Sequence, residues 1–208
     1  MTAISSQTDE NSQVTPPKFT VTSARTSTLN DGLVLHLGRF SNPAHHFHAG
    51  MSILQELDVE KRTLYSRLHT AGHVLGAAVR HLLADSIPDF DELKASHDPI
   101  SAACEFRGLI DGKYKVPIQE KVDEYITKDM PVVVEFWTWD QFDANGVSNK
   151  PDKAMADEEG RYRVVRIQGC EVYPCGGTHV ATTKLCGKTN VKKISRNKGT
   201  TRVSYGVA

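Results

Sequence analysis

The stretch 61–85, KRTLYSRLHTAGHVLGAAVRHLLAD, decides how the rest of the chain is read. Leu64, Leu68, Ala71, Leu75, Val79 and Leu82 recur at spacings of three and four, the period of a helix with one apolar face. His69 and His73 are four residues apart, so their side chains stack on a neighbouring stripe of that helix. Two imidazoles so placed can bind one metal ion, as they do in H-E-x-x-H zinc enzymes. Thr70 stands where those enzymes carry their glutamate base, which argues against a metalloprotease. Pro88 ends the helical pattern.

A second half-site lies about a hundred residues on. Residues 161–167 alternate as a strand, and Pro174, Gly176 and Gly177 then break regular structure around Cys175. A cysteine followed by two glycines can approach a metal closely, because neither glycine carries a Cβ. His179 completes Cys-Gly-Gly-Thr-His at 175–179. His69, His73, Cys175 and His179 together form a three-histidine, one-cysteine set. That set suits tetrahedral Zn²⁺ better than a hard, oxygen-seeking cation.

Composition excludes several classes. Lys plus Arg is 25 and Asp plus Glu is 25 in 208 residues, so net charge favours no particular partner. Four cysteines without a C-x-x-C pair are too few for a disulfide scaffold and fit a reducing compartment. No apolar run has membrane-spanning length. Residues 1–17 are rich in Ser, Thr and Gln and lack the apolar core of a secretory signal, so a disordered tail is expected there. A cytoplasmic protein is the expectation. Charge is uneven along the chain. Lys184, Lys188, Lys192, Lys193, Arg196, Lys198 and Arg202 follow the last acidic residue, Glu171. A basic segment beside a metal motif would draw a polyanion to it.

The remaining elements follow from local pattern. Residues 19–25 and 33–38 read as strands joined at Asn30-Asp31-Gly32. Residues 42–48, NPAHHFH, form a loop with three histidines, and 53–57 a further strand. Strands are expected at 102–109, 130–137, 161–168, 179–183, 191–195 and 201–207, and a helix at 118–128. Residues 139–160 read as an exposed loop. Turns fall at Gly187-Lys188 and Lys198-Gly199. The sum is an α+β fold with an antiparallel sheet packed against helices. The expected organisation is a tail at 1–17, a short N-terminal β extension at 18–56 and a zinc-binding domain at 57–208.

The paired motifs resemble the editing domain of alanyl-tRNA synthetase and its free-standing AlaX-type relatives, and are similar to the second additional domain of threonyl-tRNA synthetase. The likeness extends over about residues 50–207. It takes in LDVEKR at 57–62, LHTAGHVL at 68–75, IQEKVDEYI at 118–126, PVVVE at 131–135, RVVRIQGCEVYPCGGTHV at 163–180 and ISRNKGTTRVSY at 194–205. The chain departs from the family in two places. It has no glycine-rich segment ahead of the first metal helix. Lys184-Leu185-Cys186-Gly187 stands where the family carries an acidic residue before Ile-Gly.

The resemblance implies an editing-domain-like fold, with His69, His73, Cys175 and His179 as zinc ligands. It also implies a hydrolase that deacylates Ser- or Gly-tRNA(Ala) in trans, with the aminoacylated acceptor end of tRNA as partner. A small amino-acid pocket cannot strongly exclude a side chain of nearly the same size, so a second site must destroy the wrong product. Thr70 and Thr178 offer hydroxyls to a serine side chain or to water, Gly176 and Gly177 offer backbone N–H groups, and Glu105 is a candidate base. The seven basic residues are the candidate tRNA contacts. Two alternatives stay open: a zinc hydrolase on the same scaffold for another acyl ester or thioester, and an RNA-binding module with a structural zinc. A homodimer is left open as well.

Overall fold

The structure, a computed structural model, describes residues 2–4, 16–27, 33–147, 150–152 and 155–208. The chain divides into two units, residues 1–62 and 63–208.

The first unit is a four-stranded antiparallel sheet. Its strands are β1 (Thr2–Ile4), β2 (Lys18–Thr26), β3 (Val34–Phe40) and β4 (Leu54–Glu56), in the order β3-β2-β1-β4. The expected pairing of the 19–25 and 33–38 segments is present, while the Asn30-Asp31-Gly32 turn lies outside the described residues. Three residues of the expected tail form β1, which bridges β2 and β4. A strand this short leaves no periodic signal, and its backbone pairing supplies the order. Phe40 packs 4.9 Å from both Phe19 and Phe47. The 42–48 segment is a loop in which the His46 and His48 rings meet edge-on at 4.5 Å.

Helix α1 (Val59–Leu83) opens on Asp58, whose carboxylate accepts the Lys61 N–H at 2.9 Å. Within the second unit this helix runs through the core. Leu68, Ala71, Val74, Leu75, Ala78 and Val79 are fully buried. They pack on a sheet of β5 (Asp91–Ser96), β6 (Ala103–Arg107), β10 (Thr189–Asn197) and β11 (Thr200–Val207), in the order β10-β11-β6-β5. Cys104, Phe106, Val203 and Tyr205 face the helix. Helix α2 (Lys115–Thr127) contributes Ile118 and Val122 to the same core. A second sheet joins β7 (Val132–Trp137), β8 (Tyr162–Ile167) and β9 (Glu171–Pro174) in that order. Among the described residues, the strand pairs of these two sheets are antiparallel, as the α+β expectation required.

Four local expectations are corrected. Helix α2 starts at Lys115, before Pro117, because proline in a first helical turn has no N–H bond to lose. Residues 139–160 contain a helix, α3 (Trp139–Ala144), entered where the Gln141 side chain accepts the Thr138 N–H at 2.8 Å. Its Phe142 is fully buried between Trp137 and Tyr162. Residues 179–183 form no strand beyond a single Pro131–Thr182 bridge. Two backbone bonds hold that bridge, and side chains satisfy the groups beside it: Thr70 Oγ1 accepts the Val180 N–H at 3.1 Å, and the Thr183 hydroxyl accepts from Met130 N and donates to the Tyr125 carbonyl. Finally, β5 and β9 lie outside the strands that the sequence pattern predicts. DELKAS and EVYP lack a clear alternation, and both strands depend on partners, β6 and β8.

The Lys198-Gly199 turn is confirmed by its backbone. Both residues have positive φ, 43° and 86°, the twist that a two-residue hairpin between β10 and β11 requires.

Candidate metal centre

The two half-sites meet. One ligand atom from each of His69, His73, Cys175 and His179 lies within 4.8 Å of all the others. Cys175 Sγ is 3.4 Å from His69 Nε2 and 3.4 Å from His179 Nε2. Zinc bonds of about 2.3 Å to sulfur and 2.0–2.1 Å to nitrogen give tetrahedral S···N edges of about 3.5 Å. These two S···N separations therefore fit a tetrahedral cation, and the four donors lie close enough to share one.

Several contacts hold these side chains in the form that binds metal. The Thr70 hydroxyl is 3.0 Å from the Ser66 carbonyl and 3.1 Å from His179 Nδ1. It has one proton, and the carbonyl can only accept. Both contacts are satisfied when Thr70 donates to Ser66 and His179 Nδ1–H donates to Thr70. Nε2 of His179 then keeps its lone pair on the side facing Cys175. A metal-bound histidine is oriented in this way by its second nitrogen. His73 is buried, and its Nδ1 has no hydrogen-bond partner among the described residues. Its ring lies 4.2 Å from that of Tyr173, whose hydroxyl donates to the His73 carbonyl at 3.0 Å.

Burial keeps the imidazoles neutral, which is the state that binds metal. Desolvation holds His73 well below the ordinary histidine range, with the neighbouring imidazoles adding to it. Burial, with His69 and Arg163 close by, takes His179 down to about 3. His69 is lowered by burial and then by Arg163. Burial pushes the Cys175 thiol up, while the Gly177 N–H, 3.4 Å from Sγ, and the Arg163 guanidinium favour the thiolate.

The loop that carries Cys175 is tied down by Arg163 on β8. Its guanidinium donates to the Cys175 carbonyl and, at 2.9 Å, to the Gly177 carbonyl. Gly177 is a steric necessity, since a Cβ there would run into the His69 ring. Its N–H is directed at Cys175 Sγ, so it serves the ligand rather than an incoming substrate. Gly176 is exposed with open space around it. Thr178 Oγ1 accepts from the Ser66 hydroxyl at 3.0 Å and fastens the loop to α1. Thr70, expected at the site, is fully buried and acts behind His179.

Glu105 is placed elsewhere. Cys104 and Phe106, on either side of it in β6, face α1, so Glu105 lies on the opposite face of that sheet. It pairs there with Arg202 at 2.9 Å and Lys94 at 3.4 Å. Burial works to raise this carboxyl, but the hydrogen bonds from Arg202 and Lys94 outweigh it and keep the group ionised below the usual range. A base held by two cations on the far face cannot serve the centre. Lys184, on the short 3-10 helix Thr183–Cys186, and Lys188, Lys192, Lys193, Arg196 and Lys198, on β10 or beside it, are exposed. Arg196 is 3.7 Å from Asp111, and Arg202 also donates to the Ser101 carbonyl.

Sequence reasoning missed the residues brought in by tertiary packing. His97, just beyond β5, stacks on His69 with ring centroids 4.2 Å apart. Burial and the neighbouring His69 take its pKa down to about 4. A cleft of about 290 Å³ next to the centre is lined by Glu92, Arg80, Lys94, Lys150, Tyr173 and Pro174. Nothing in the local pattern of DELKASHD marked Glu92 or His97. Arg163 and Tyr173 stood inside the quoted family segment but carried no metal-ligand signature. Among the described residues, no helix is long and apolar enough to cross a membrane.

The chain is similar in sequence to known proteins. Residues 162–204 match the family described as threonyl and alanyl tRNA synthetase second additional domain. The chain is 27% identical over 158 residues to the alanine--tRNA ligase of Thermotoga petrophila, covering 76% of this chain and 18% of that enzyme. It is 26% identical over 176 residues to the alanyl-tRNA editing protein AlaX-L of Pyrococcus horikoshii, covering 84% of this chain and 41% of that protein. A similar match, 27% over 162 residues, is found with the alanine--tRNA ligase of Acidothermus cellulolyticus. The chain thus spans less than half the length of each of these relatives.

Proposed function

From this similarity to the AlaX-type editing-domain family, we propose that the chain is a zinc-dependent aminoacyl-tRNA deacylase that releases serine or glycine from mischarged tRNA(Ala) in trans. The convergence of His69, His73, Cys175 and His179 from two distant segments carries the reading. It supplies the donor set of a zinc centre on a scaffold whose relatives include a protein named for alanyl-tRNA editing.

When bound, a zinc ion would supply positive charge to polarise the ester carbonyl and orient the aminoacyl end. The chain's own residues supply the rest. Thr70 sets the orientation of His179, Arg163 holds the Cys175 loop, and Tyr173 covers one face of His73. The exposed lysines around β10 supply the charge that draws in the tRNA backbone. An aminoacyl ester is already reactive, so holding it in one geometry supplies much of the rate.

One observation favours a second reading. Four protein ligands complete a tetrahedron, as structural zinc sites do. Under that reading the chain binds RNA without hydrolysing it. Deacylation of Ser-tRNA(Ala), Gly-tRNA(Ala) and Ala-tRNA(Ala), with and without a chelator, decides the matter. The expected result is zinc-dependent release of Ser or Gly with Ala spared. No release from any of them, with zinc bound stoichiometrically, would leave the structural reading or a different acyl substrate. Cys175→Ala should abolish release while the fold is retained; unfolding of that variant would favour the structural reading.

A further inference from the structure

His97 is no member of the ligand set, yet it packs directly on it. Its ring stacks on His69 at 4.2 Å with 29° between planes and lies 6.1 Å from His73. Its Nδ1 is 2.7 Å from the Tyr205 hydroxyl oxygen, and that hydroxyl is 2.9 Å from the Leu68 carbonyl of α1. The carbonyl can only accept, and the tyrosine has a single proton. Both short contacts are satisfied only when Tyr205 donates to Leu68 and His97 Nδ1–H donates to Tyr205. Nε2 of His97 is thereby left as a lone-pair acceptor.

The seat for this ring is built in. A Cβ at position 72 would come within 2.5 Å of His97 and 2.6 Å of the Tyr205 hydroxyl. Only glycine at that turn of α1 lets the residue after β5 and the tyrosine of β11 meet there. Several neighbouring polar groups are engaged within the protein. Thr70 is shared among Ser66, His179 and Val180, Thr178 bonds Ser66, and the Gly177 N–H points at Cys175. A water that attacks the ester needs a group that holds it, and the lone pair of His97 Nε2 lies beside the four clustered side chains.

We infer that His97 is a further catalytic residue, whose Nε2 accepts a hydrogen bond from the attacking water and fixes it beside the metal ligands without joining them. The inference rests on the deacylase reading. In the step it serves, the water oxygen bonds to the ester carbonyl carbon and the carbon–oxygen bond to the ribose breaks. One water proton ends on the ribose oxygen and the other leaves with the released amino acid. The imidazole finishes as it began.

The test uses the full chain loaded with zinc. His97→Ala should lower single-turnover deacylation of Ser-tRNA(Ala) by about 100-fold or more, the lower range for losing a positioned acid–base group. The substrate dependence and the zinc content should stay as in the native protein. His97→Gln, whose amide oxygen reaches toward the place of Nε2, should recover part of the rate and guards against a folding defect in the alanine variant. Nitrogen-15 NMR of the histidines should show His97 protonated at Nδ1, with that preference lost in Tyr205→Phe.

A His97 protonated at Nε2, an unchanged rate in His97→Ala, or loss of zinc from both His97 variants would each overturn the inference and leave the deacylase reading intact. A native protein inactive on every charged tRNA would overturn that reading and this inference with it.

Discussion

The Thr70 hydroxyl on α1 sits 3.1 Å from Nδ1 of His179, 109 residues further along the chain, and the two residues define each other's hydrogen positions. The same oxygen accepts the Val180 N–H at 3.1 Å. One buried side chain thus orients an imidazole of the His/Cys cluster and satisfies the Val180 N–H next to the short Pro131–Thr182 bridge.

Thr70→Val keeps the shape and removes the oxygen. It strands the Val180 N–H and His179 Nδ1–H in a part-buried site, at a cost of about 1–3 kcal/mol in stability. Zinc affinity should fall roughly 10–100-fold, the usual effect of losing a partner behind a ligand. Thr70→Ser keeps the oxygen and should bind nearly as the native chain does. Chelator competition on the three proteins measures this. A valine variant with native affinity would remove Thr70 from the centre's design.

Gly177→Ala and Gly176→Ala form a matched pair. A Cβ at 177 runs into the His69 ring, while one at 176 meets nothing within 4 Å. The first substitution must displace a ligand or the loop that Arg163 holds, and should weaken zinc by roughly tenfold or more. The second should change neither zinc affinity nor melting temperature measurably. Equal effects at the two positions would mean that the loop adapts and the close approach is dispensable.

These two glycines also show what was legible in the sequence. The His69, His73, Cys175 and His179 cluster was, because i and i+4 on a helix and Cys-Gly-Gly-Thr-His in a turn are local patterns that suit one metal-binding chemistry. The antiparallel α+β fold was, because strands such as 130–137 and 201–207 carry strong β-formers. His97, Glu92 and Tyr173 were not. Their importance comes from β5 and β9, strands that exist only through pairing with β6 and β8. Glu105 lies away from the centre for the complementary reason: alternation places it in a strand but does not say which face meets the helix. The helix at Trp139–Ala144 was available in Thr138-x-x-Gln141, a capping signal masked by the polarity around it.

The basic residues divide into two classes, and salt dependence should separate them. Lys192 and Lys193 are exposed on β10, whereas Arg202 is engaged by Glu105 and the Ser101 carbonyl. Lys192→Ala and Lys193→Ala should each lower the slope of log affinity for tRNA against log salt by about 0.7–0.9, one released counterion apiece. Arg202→Ala should leave the slope alone and lower the melting temperature instead. Titrations of tRNA binding at several salt concentrations give the slopes. An affinity indifferent to salt in the native protein would take the basic strand out of recognition.

Glu92 makes stability depend on pH in a direction opposite to most carboxylates. Its side chain is 13% exposed and shares the Arg80 guanidinium, 3.3 Å away, with Glu171, which is 3.2 Å from the same arginine. Burial pushes its pKa up to about 7 from an ordinary value of 4.5, and Arg80 offsets only part of that. A folded-state pKa above the unfolded one means that the folded chain holds the proton more tightly. The contribution is therefore fully present below pH 4.5 and is lost as pH rises toward 7, with a plateau above. The total is roughly 3 kcal/mol, from about 1.4 kcal/mol per pH unit. Glu92→Gln has no such proton. The difference in unfolding free energy between the native chain and this variant, measured by urea at intervals from pH 4 to 8, should shift against the native chain across that window. Taking the difference cancels the histidine titrations common to both proteins. A flat difference would show that Arg80 keeps Glu92 ionised throughout, and that the cleft beside the centre carries a permanent negative charge.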